Sequence, residues 1–317
     1  MGYEPVTHTA TDRTLGRLPS GDDVTVAVHR YVGGSGPTVY VQAAQHGIEL
    51  NGPATLRRLH EALVDADVAG TVVVVPVVNS PAFDHRSYMT PQVYDAANPN
   101  LNRVWPGDDE GSMQERLAAE LWPLVTDADA VVDLHTGTAD MLEHVRVRAD
   151  RPAARRLGEA FGTEYILTDD ESTDDDGFDG TFRAAAARER IPAVTAELAN
   201  SWRVSRSAVE VGVSGVRDVL RELDVLEDQP TPSPDQTLLR DEPAATTAAA
   251  SGLYEPRTDV SVGDRIEADE ELGTVYCPSS FEQLQTVTAT SGGVAYSLTR
   301  SGVVFAGEQL VGVARPV

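Results

Sequence analysis

The chain contains no lysine, so every one of its 25 basic residues is an arginine. Without a primary amine there is no Schiff-base catalysis, no Walker-type phosphate loop, and no lysine-linked lipoyl or biotinyl group. Cysteine is almost as scarce. Cys277 stands alone, which excludes an intrachain disulfide and a cysteine-based metal cluster. Nor is there a basic stripe to neutralise phosphates, so neither nucleic acid nor an anionic membrane surface is an expected partner. Long apolar runs are also missing. The most apolar stretch, Val72-Val73-Val74-Val75-Pro76-Val77-Val78, is far shorter than the roughly 20 residues of a membrane-spanning helix and reads as a buried parallel strand. The opening Met1-Gly2-Tyr3-Glu4-Pro5 lacks a basic region followed by an apolar core, and a cytoplasmic location is the expectation.

What is abundant is negative charge. Fifty acidic residues against 25 arginines give a formal net charge of -25, a pattern that resembles proteins of extreme halophiles. Such a surface stays hydrated and self-repelling where salt screens charge almost completely, and the same repulsion works against the fold when salt is withdrawn. With 317 residues, of which 41% are hydrophobic, the chain is long enough for one large domain and a smaller companion.

Residues 22 to 31 and 37 to 44 are β-rich, and the intervening Gly33-Gly34-Ser35-Gly36-Pro37 predicts a hairpin-like pair. A helix follows from Asn51 to Asp65, with Asn51 as a plausible cap and Pro53 in its first turn. The Val72 to Val78 strand then completes a βαβ beginning. Further helices are expected from Ser112 to Leu124, Pro152 to Phe161, Phe182 to Glu189 and Ser207 to Leu226. Strands are expected at Ala130 to Leu134, His144 to Arg148, Tyr165 to Leu167 and Pro192 to Leu198. The acid-rich stretch from Asp169 to Gly180 reads as a solvated loop.

The texture changes after Leu226. Residues 229–250 are rich in Pro, Thr, Asp and Ala and read as a linker between a domain at 1–228 and a β module at 251–317. Within that module, Val262-Gly263-Asp264-Arg265-Ile266 and Phe305-Ala306-Gly307-Glu308-Gln309-Leu310 look like two copies of one turn. The pair predicts a pseudo-symmetric sandwich similar to a lipoyl or biotinyl carrier domain, without its lysine.

The chemistry gathers around Gln45-His46-Gly47-Ile48-Glu49. A histidine and a glutamate three residues apart, with glycine between them to allow a sharp turn, can each give one atom to a single zinc ion. His135, in Asp133-Leu134-His135, follows a strand as His46 does. Strand ends of a parallel sheet share one edge, so the two can meet there. A His, Glu, His set with a fourth position open to water is the pattern of catalytic zinc.

Together with Asn100-Leu101-Asn102-Arg103, Pro106-Gly107 and Ala196-Glu197-Leu198, this set resembles the succinylglutamate desuccinylase and aspartoacylase family, relatives of the zinc carboxypeptidases. The resemblance implies a mixed, mainly parallel α/β sheet flanked by helices. It also implies one Zn2+ per chain on His46, Glu49 and His135, with Glu197 as general base on the attacking water. Asn102 and Arg103 would anchor the substrate's acid group. Arg86, seventeen residues before Arg103, would stabilise the oxyanion, since the spacing is similar to that of zinc carboxypeptidases. Asp133 would hold a ligand imidazole. The family commonly has Asp where this chain has Asn100 and Gly where it has Ala199, and neither departure is expected to touch a ligand.

The implied activity is hydrolysis of an amide bond in an N-acyl amino acid or related small amide. A metallocarboxypeptidase acting on peptide C-termini uses the same chemistry, and a non-catalytic metal-binding protein would keep only the ligands. The charge balance makes one prediction independent of the site. Lowering salt from molar to millimolar concentration lowers the thermal midpoint, and circular dichroism melts across a salt series check it.

Overall fold

The computed structural model describes residues 2–137, 140–169, 180–231, 234–241, 245–300 and 302–317. Its first half is assembled from strands β1 (Thr7–Arg17), β2 (Asp23–Val32), β3 (Thr38–Ala43), β4 (Thr71–Val75) and β5 (Ala130–Gly137), with helices α1 (Asn51–Leu63) and α2 (Met113–Thr126). Next come β6 (His144–Arg148), α3 (Pro152–Phe161), β7 (Tyr165–Asp169), α4 (Phe182–Arg188), β8 (Ala193–Asn200), α5 (Arg206–Glu222) and β9 (Thr237–Asp241). Among the described residues one large sheet runs β13-β15-β9-β7-β6-β8-β5-β3-β4-β2-β1, where β13 is Gly293–Leu298 and β15 is Gln309–Pro316. The centre, β8-β5-β3-β4, is parallel, whereas β6 meets β8 and β2 meets β4 antiparallel. This is the mixed α/β architecture expected from the sequence.

Alternation within the strands divides two cores. Val39, Val41 and Ala43 of β3, Val72 and Val74 of β4, and Val132 and Leu134 of β5 face α1, α3 and α5. Tyr40, Val73, Val75 and Val131 face α2 and α4 on the other side. Both faces are covered, which is why these strands read as nearly continuous apolar runs. Each fully buried valine contributes about 1.5–3 kcal/mol relative to exposure.

Several sequence expectations change here. β2 and β3 are not a hairpin, because β4 lies between them. A βαβ crossover through α1 brings β4 parallel beside β3 and leaves β2 to pair with β4's far edge. The glycine run serves close passage rather than a tight turn: a Cβ on Gly36 would lie 1.5 Å from the Ala69 carbonyl oxygen. Asn51 does not cap α1, whose cap position is Leu50. Its amide nitrogen donates to the Leu198 carbonyl at 2.7 Å and its amide oxygen accepts from the Ser205 backbone N–H at 2.8 Å. At the start of α2, Ser112 and Glu115 form a capping box. Most of the acid-rich stretch between Asp169 and Gly180 lies outside the described residues.

The segment expected as a linker is built into the sheet. Its strand β9 lies parallel to β7 and then receives β15 on its other edge. β13 and β15 thereby extend the large sheet. β10 (Gly252–Pro256), β11 (Glu271–Tyr276), β12 (Gln283–Thr288) and β14 (Val303–Val304) form a separate antiparallel sheet in the order β12-β11-β10-β14. The module has its own core, including Tyr254, Leu272, Val275, Val287 and Val311. The two related turns keep a left-handed glycine each, Gly263 at φ 92° and Gly307 at φ 94°. No helix among the described residues is long and apolar enough to cross a membrane.

Leu59 lies on the buried face of α1 with 0% of its surface exposed. Leu59→Ala is expected to destabilise the fold by about 2–5 kcal/mol through lost burial and a residual cavity. Urea unfolding at constant high salt measures the difference.

Candidate metal centre and active site

The site is built at the C-terminal ends of three adjacent parallel strands. β3 stops at Ala43, and the chain turns through Ala44 at φ 57° before presenting Gln45 and His46. Gly47 then presses against the short helix Ser80–Asp84, where a Cβ would lie 2.1 Å from the Ala82 carbonyl carbon. A side chain there would clash with the Ala82–Phe83 backbone, so the loop carrying His46 and Glu49 could not sit as close. On β5, Asp133 and His135 share a face. On β8, Thr195 and Glu197 stand directly opposite them in the parallel register. A bulge follows Glu197, with Ala199 at φ 54°.

His46, Glu49 and His135 converge, all three buried, with one ligating atom of each within 4.8 Å of the others. Glu49 is the hinge of the group. Its Oε1 is 2.7 Å from His46 Nδ1 and its Oε2 is 3.0 Å from His135 Nδ1. The Thr136 backbone N–H also donates to Oε2 at 3.3 Å. The remaining imidazole nitrogens turn outward. His135 Nε2 donates to Asp133 Oδ2 at 2.9 Å, and His46 Nε2 donates to Asn100 Oδ1 at 3.1 Å. An outer hydrogen-bond partner that fixes the tautomer is what a ligand imidazole requires. Asn100 therefore does touch a ligand, contrary to the expectation from sequence. An amide oxygen accepts that N–H as a carboxylate would, without adding a charge.

Behind the imidazoles lies a buried relay. The Gln45 amide nitrogen donates to Asp133 Oδ2 at 2.6 Å and the Gln42 amide nitrogen to Oδ1 at 3.1 Å. Trp105 Nε1 donates to Gln45 Oε1 at 2.7 Å, and the Tyr40 hydroxyl donates to Gln42 Oε1 at 3.0 Å. Burial alone would raise the pKa of Glu49, but the two imidazoles beside it bring it down to about 2. Burial works to lower His135, and the Asp133 and Glu49 carboxylates overcome it and hold it well above its usual range. A buried carboxylate flanked by two inward-facing ring nitrogens is a donor set that fits Zn2+.

The group opens into a cavity of about 290 Å³. Glu197, Asn102 and Arg103 line it, together with Tyr88, Arg146, Arg183, Asp241 and Tyr296. Glu197 is raised, first by burial and then by the Glu49 carboxylate, against the pull of His135, Arg146 and His46. Tyr88 stacks on His46 at 4.1 Å between ring centroids. The amide oxygen of Asn102 accepts from the Phe182 backbone N–H at 2.9 Å, which leaves its NH2 to donate. Arg86 is placed differently. It is exposed at φ 50°, just past the Ser80–Asp84 helix, and is not among the cavity-lining residues.

Sequence reasoning missed Arg146, Arg183, Asp241, Tyr296 and Gln309. Arg146 shares β6 with His144, and Nη1 meets Asp241 Oδ2 at 3.0 Å while the guanidinium lies 5.3 Å from the Tyr296 ring centroid. Tyr296 and Gln309 come from the C-terminal module, whereas Tyr254 and Tyr276 of the same module are not among the cavity-lining residues. The inward position of Arg146 in the alternating His144-Val145-Arg146-Val147-Arg148 was the one available signal.

The fold and centre define an α/β protein with a buried His–Glu–His group that could hold a metal ion, set beside the Glu197 carboxylate at its strand ends. Residues 35–223 match the succinylglutamate desuccinylase/aspartoacylase catalytic domain, and the chain belongs to that family, whose members are hydrolases acting on amides. It is 29% identical over 287 residues to the N-alpha-acetyl-L-2,4-diaminobutyric acid deacetylase of Halomonas elongata, covering 86% of this chain and 78% of that one. A succinylglutamate desuccinylase from Silicibacter sp. superposes with a TM-score of 0.85 at 22% identity, covering 99% of this chain and 96% of that one. The product-bound Ectoine utilization protein EutE of Ruegeria pomeroyi gives a TM-score of 0.84 at 23% identity, covering 99% and 100%.

His144 lies behind the site with 0% of its surface exposed. Its Nδ1 donates to the Leu142 carbonyl at 2.7 Å and its Nε2 has no hydrogen-bond partner. Burial, with Arg146 nearby, takes its pKa from 6.5 down to about 3. The unfolded chain therefore gains a proton near pH 6.5 that the folded chain accepts only near pH 3. The neutral imidazole's contribution is present above that window and is lost as pH falls through it, by up to about 1.4 kcal/mol per pH unit. His144→Phe is expected to flatten this part of the stability–pH curve, measured by urea unfolding between pH 4 and 7.

Proposed function

We propose that this chain hydrolyses the amide bond of N-acyl amino acids, with one Zn2+ held by His46, Glu49 and His135. The observation that carries the reading is the buried His–Glu–His group with outer partners on both imidazoles, opening into a cavity that Glu197 lines. When bound, the ion supplies Lewis-acid polarisation of the amide carbonyl and activates water. Glu197 takes the water proton and delivers it to the leaving nitrogen. Its raised pKa brings it nearer to the working range of a general base.

Arg103 and Asn102 grip the carboxylate of the substrate, the first through its planar fork and the second through its NH2. No oxyanion role goes to Arg86, which is outside the cavity. Arg103, Arg146 and Arg183 are the guanidinium groups positioned to meet negative charge there. A cavity of about 290 Å³ whose wall includes Tyr296 and Gln309 of the C-terminal module suits a small acylated amino acid better than a peptide chain. The relative from Halomonas elongata makes N-alpha-acetyl-L-2,4-diaminobutyric acid the first substrate to try.

The test is a hydrolysis screen in concentrated salt, with N-acetyl and N-succinyl amino acids set beside unblocked peptides. Acyl release with peptides left intact is the expected outcome, and cleavage of peptide C-termini instead would sink the proposal. Glu197→Gln is expected to keep wild-type zinc content and lose hydrolysis by roughly 10²–10⁴-fold. His46→Ala is expected to lose the ion at this centre. A non-catalytic metal-binding protein would show no substrate turnover for Glu197→Gln to remove.

A further inference from the structure

Of the seven histidines in the chain, three gather well away from the cavity. His8 lies on β1, His29 on the neighbouring strand β2, and His60 near the end of α1. In the antiparallel register His8 stands opposite Tyr31 and is diagonal to His29, so both histidines emerge beneath α1. One ring nitrogen of each lies within 4.8 Å of the others. His8 Nε2 and His29 Nδ1 are 3.1 Å apart and their rings stack at 13°. The His60 ring stands edge-on to both, with centroids at 4.9 Å from His8 and 6.0 Å from His29. None of the three lines the cavity.

The details match a ligand set. Two nitrogens on a tetrahedral ion with metal–nitrogen bonds of about 2.0 Å are separated by about 3.3 Å, close to the spacing of His8 and His29. The Tyr31 hydroxyl lies 2.8 Å from His60 Nδ1. That is the outer hydrogen bond a ligand imidazole needs, and it leaves Nε2 for a metal. All three residues are half-buried, shielded enough to hold an ion and open enough to admit one. Burial and the neighbouring imidazoles lower the pKa of His8 and of His29, so the lone pairs stay available.

We propose that His8, His29 and His60 form a second metal site, separate from the His46–Glu49–His135 centre, binding Zn2+ or a similar borderline transition ion through three imidazoles with a fourth position open to solvent. Three neutral nitrogen donors with no carboxylate select such ions over Mg2+ and Ca2+. The bound ion staples the edge strand β1 and its neighbour β2 to α1, the helix that begins two residues after Glu49. It is structural, and hydrolysis does not depend on it.

The experiment is a zinc count on untagged protein in molar salt, after stripping with a chelator, reloading with Zn2+ and desalting, with calorimetric titration in parallel. The wild type is expected to hold two ions per chain. His46→Ala/His135→Ala, which removes the first centre, is expected to hold one ion and to melt at higher temperature when Zn2+ is added. His29→Ala is expected to hold one ion and to hydrolyse N-acyl substrates within twofold of wild type. Zinc-free His46→Ala/His135→Ala would overturn the proposal, and so would an unchanged zinc count in His29→Ala. His8→Ala, a change at a half-buried position on an edge strand, gives the same reading should His29→Ala fail to fold. Absent hydrolysis with an intact second ion would count against the proposed activity alone.

Discussion

A carboxylate sealed from water governs this structure. Glu49 is 3% exposed, and an ionised group at that depth costs several kcal/mol unless positive charge or hydrogen-bond donors surround it. The two imidazoles and the Thr136 backbone N–H meet that demand. Each imidazole then needs an acceptor of its own, found in Asn100 and Asp133. Asp133 in turn needs donors, supplied by Gln42 and Gln45, and these are held by Tyr40 and Trp105. One buried charge thus determines polar residues on two strands and on the loop that carries Trp105, inside what is otherwise an apolar core.

The parallel sheet explains why these residues meet. β3, β5 and β8 end at the same edge, and the alternation that points Val132 and Leu134 to one core points Asp133 and His135 to the other. Thr195 and Glu197 on β8 follow the same parity in register with them. The strands' period therefore determines which side chains share the cavity, and the chain reversals after Ala43 and Glu197 determine how far each one enters.

Much of this was legible in the sequence because it is local. His46 and Glu49 follow an apolar strand, His135 and Glu197 lie near the ends of two others that could be read directly, and the helix from Pro152 to Phe161 was read to its observed bounds. What could not be read depends on partners distant in the chain. The supposed hairpin of β2 and β3 failed because pairing is decided by the α1 crossover, which brings in β4. The segment 229–250 looked like a linker because its composition says nothing of the free edge that β7 offers. Arg86 was placed by spacing alone, yet spacing along an irregular loop does not fix direction. Tyr296 and Gln309 were invisible because nothing local marks a residue of the C-terminal strands as facing the cavity.

Asn51 draws the parts together. Its side chain touches neither ligand nor cavity, yet it sits two residues after Glu49, grips the carbonyl next to Glu197, and receives the N–H of Ser205 at the start of α5. The loop carrying His46 and Glu49 and the strand carrying Glu197 are thus referenced to a single amide. The spacing of the two is thus tied to the scaffold through hydrogen bonds that lie outside the cavity lining.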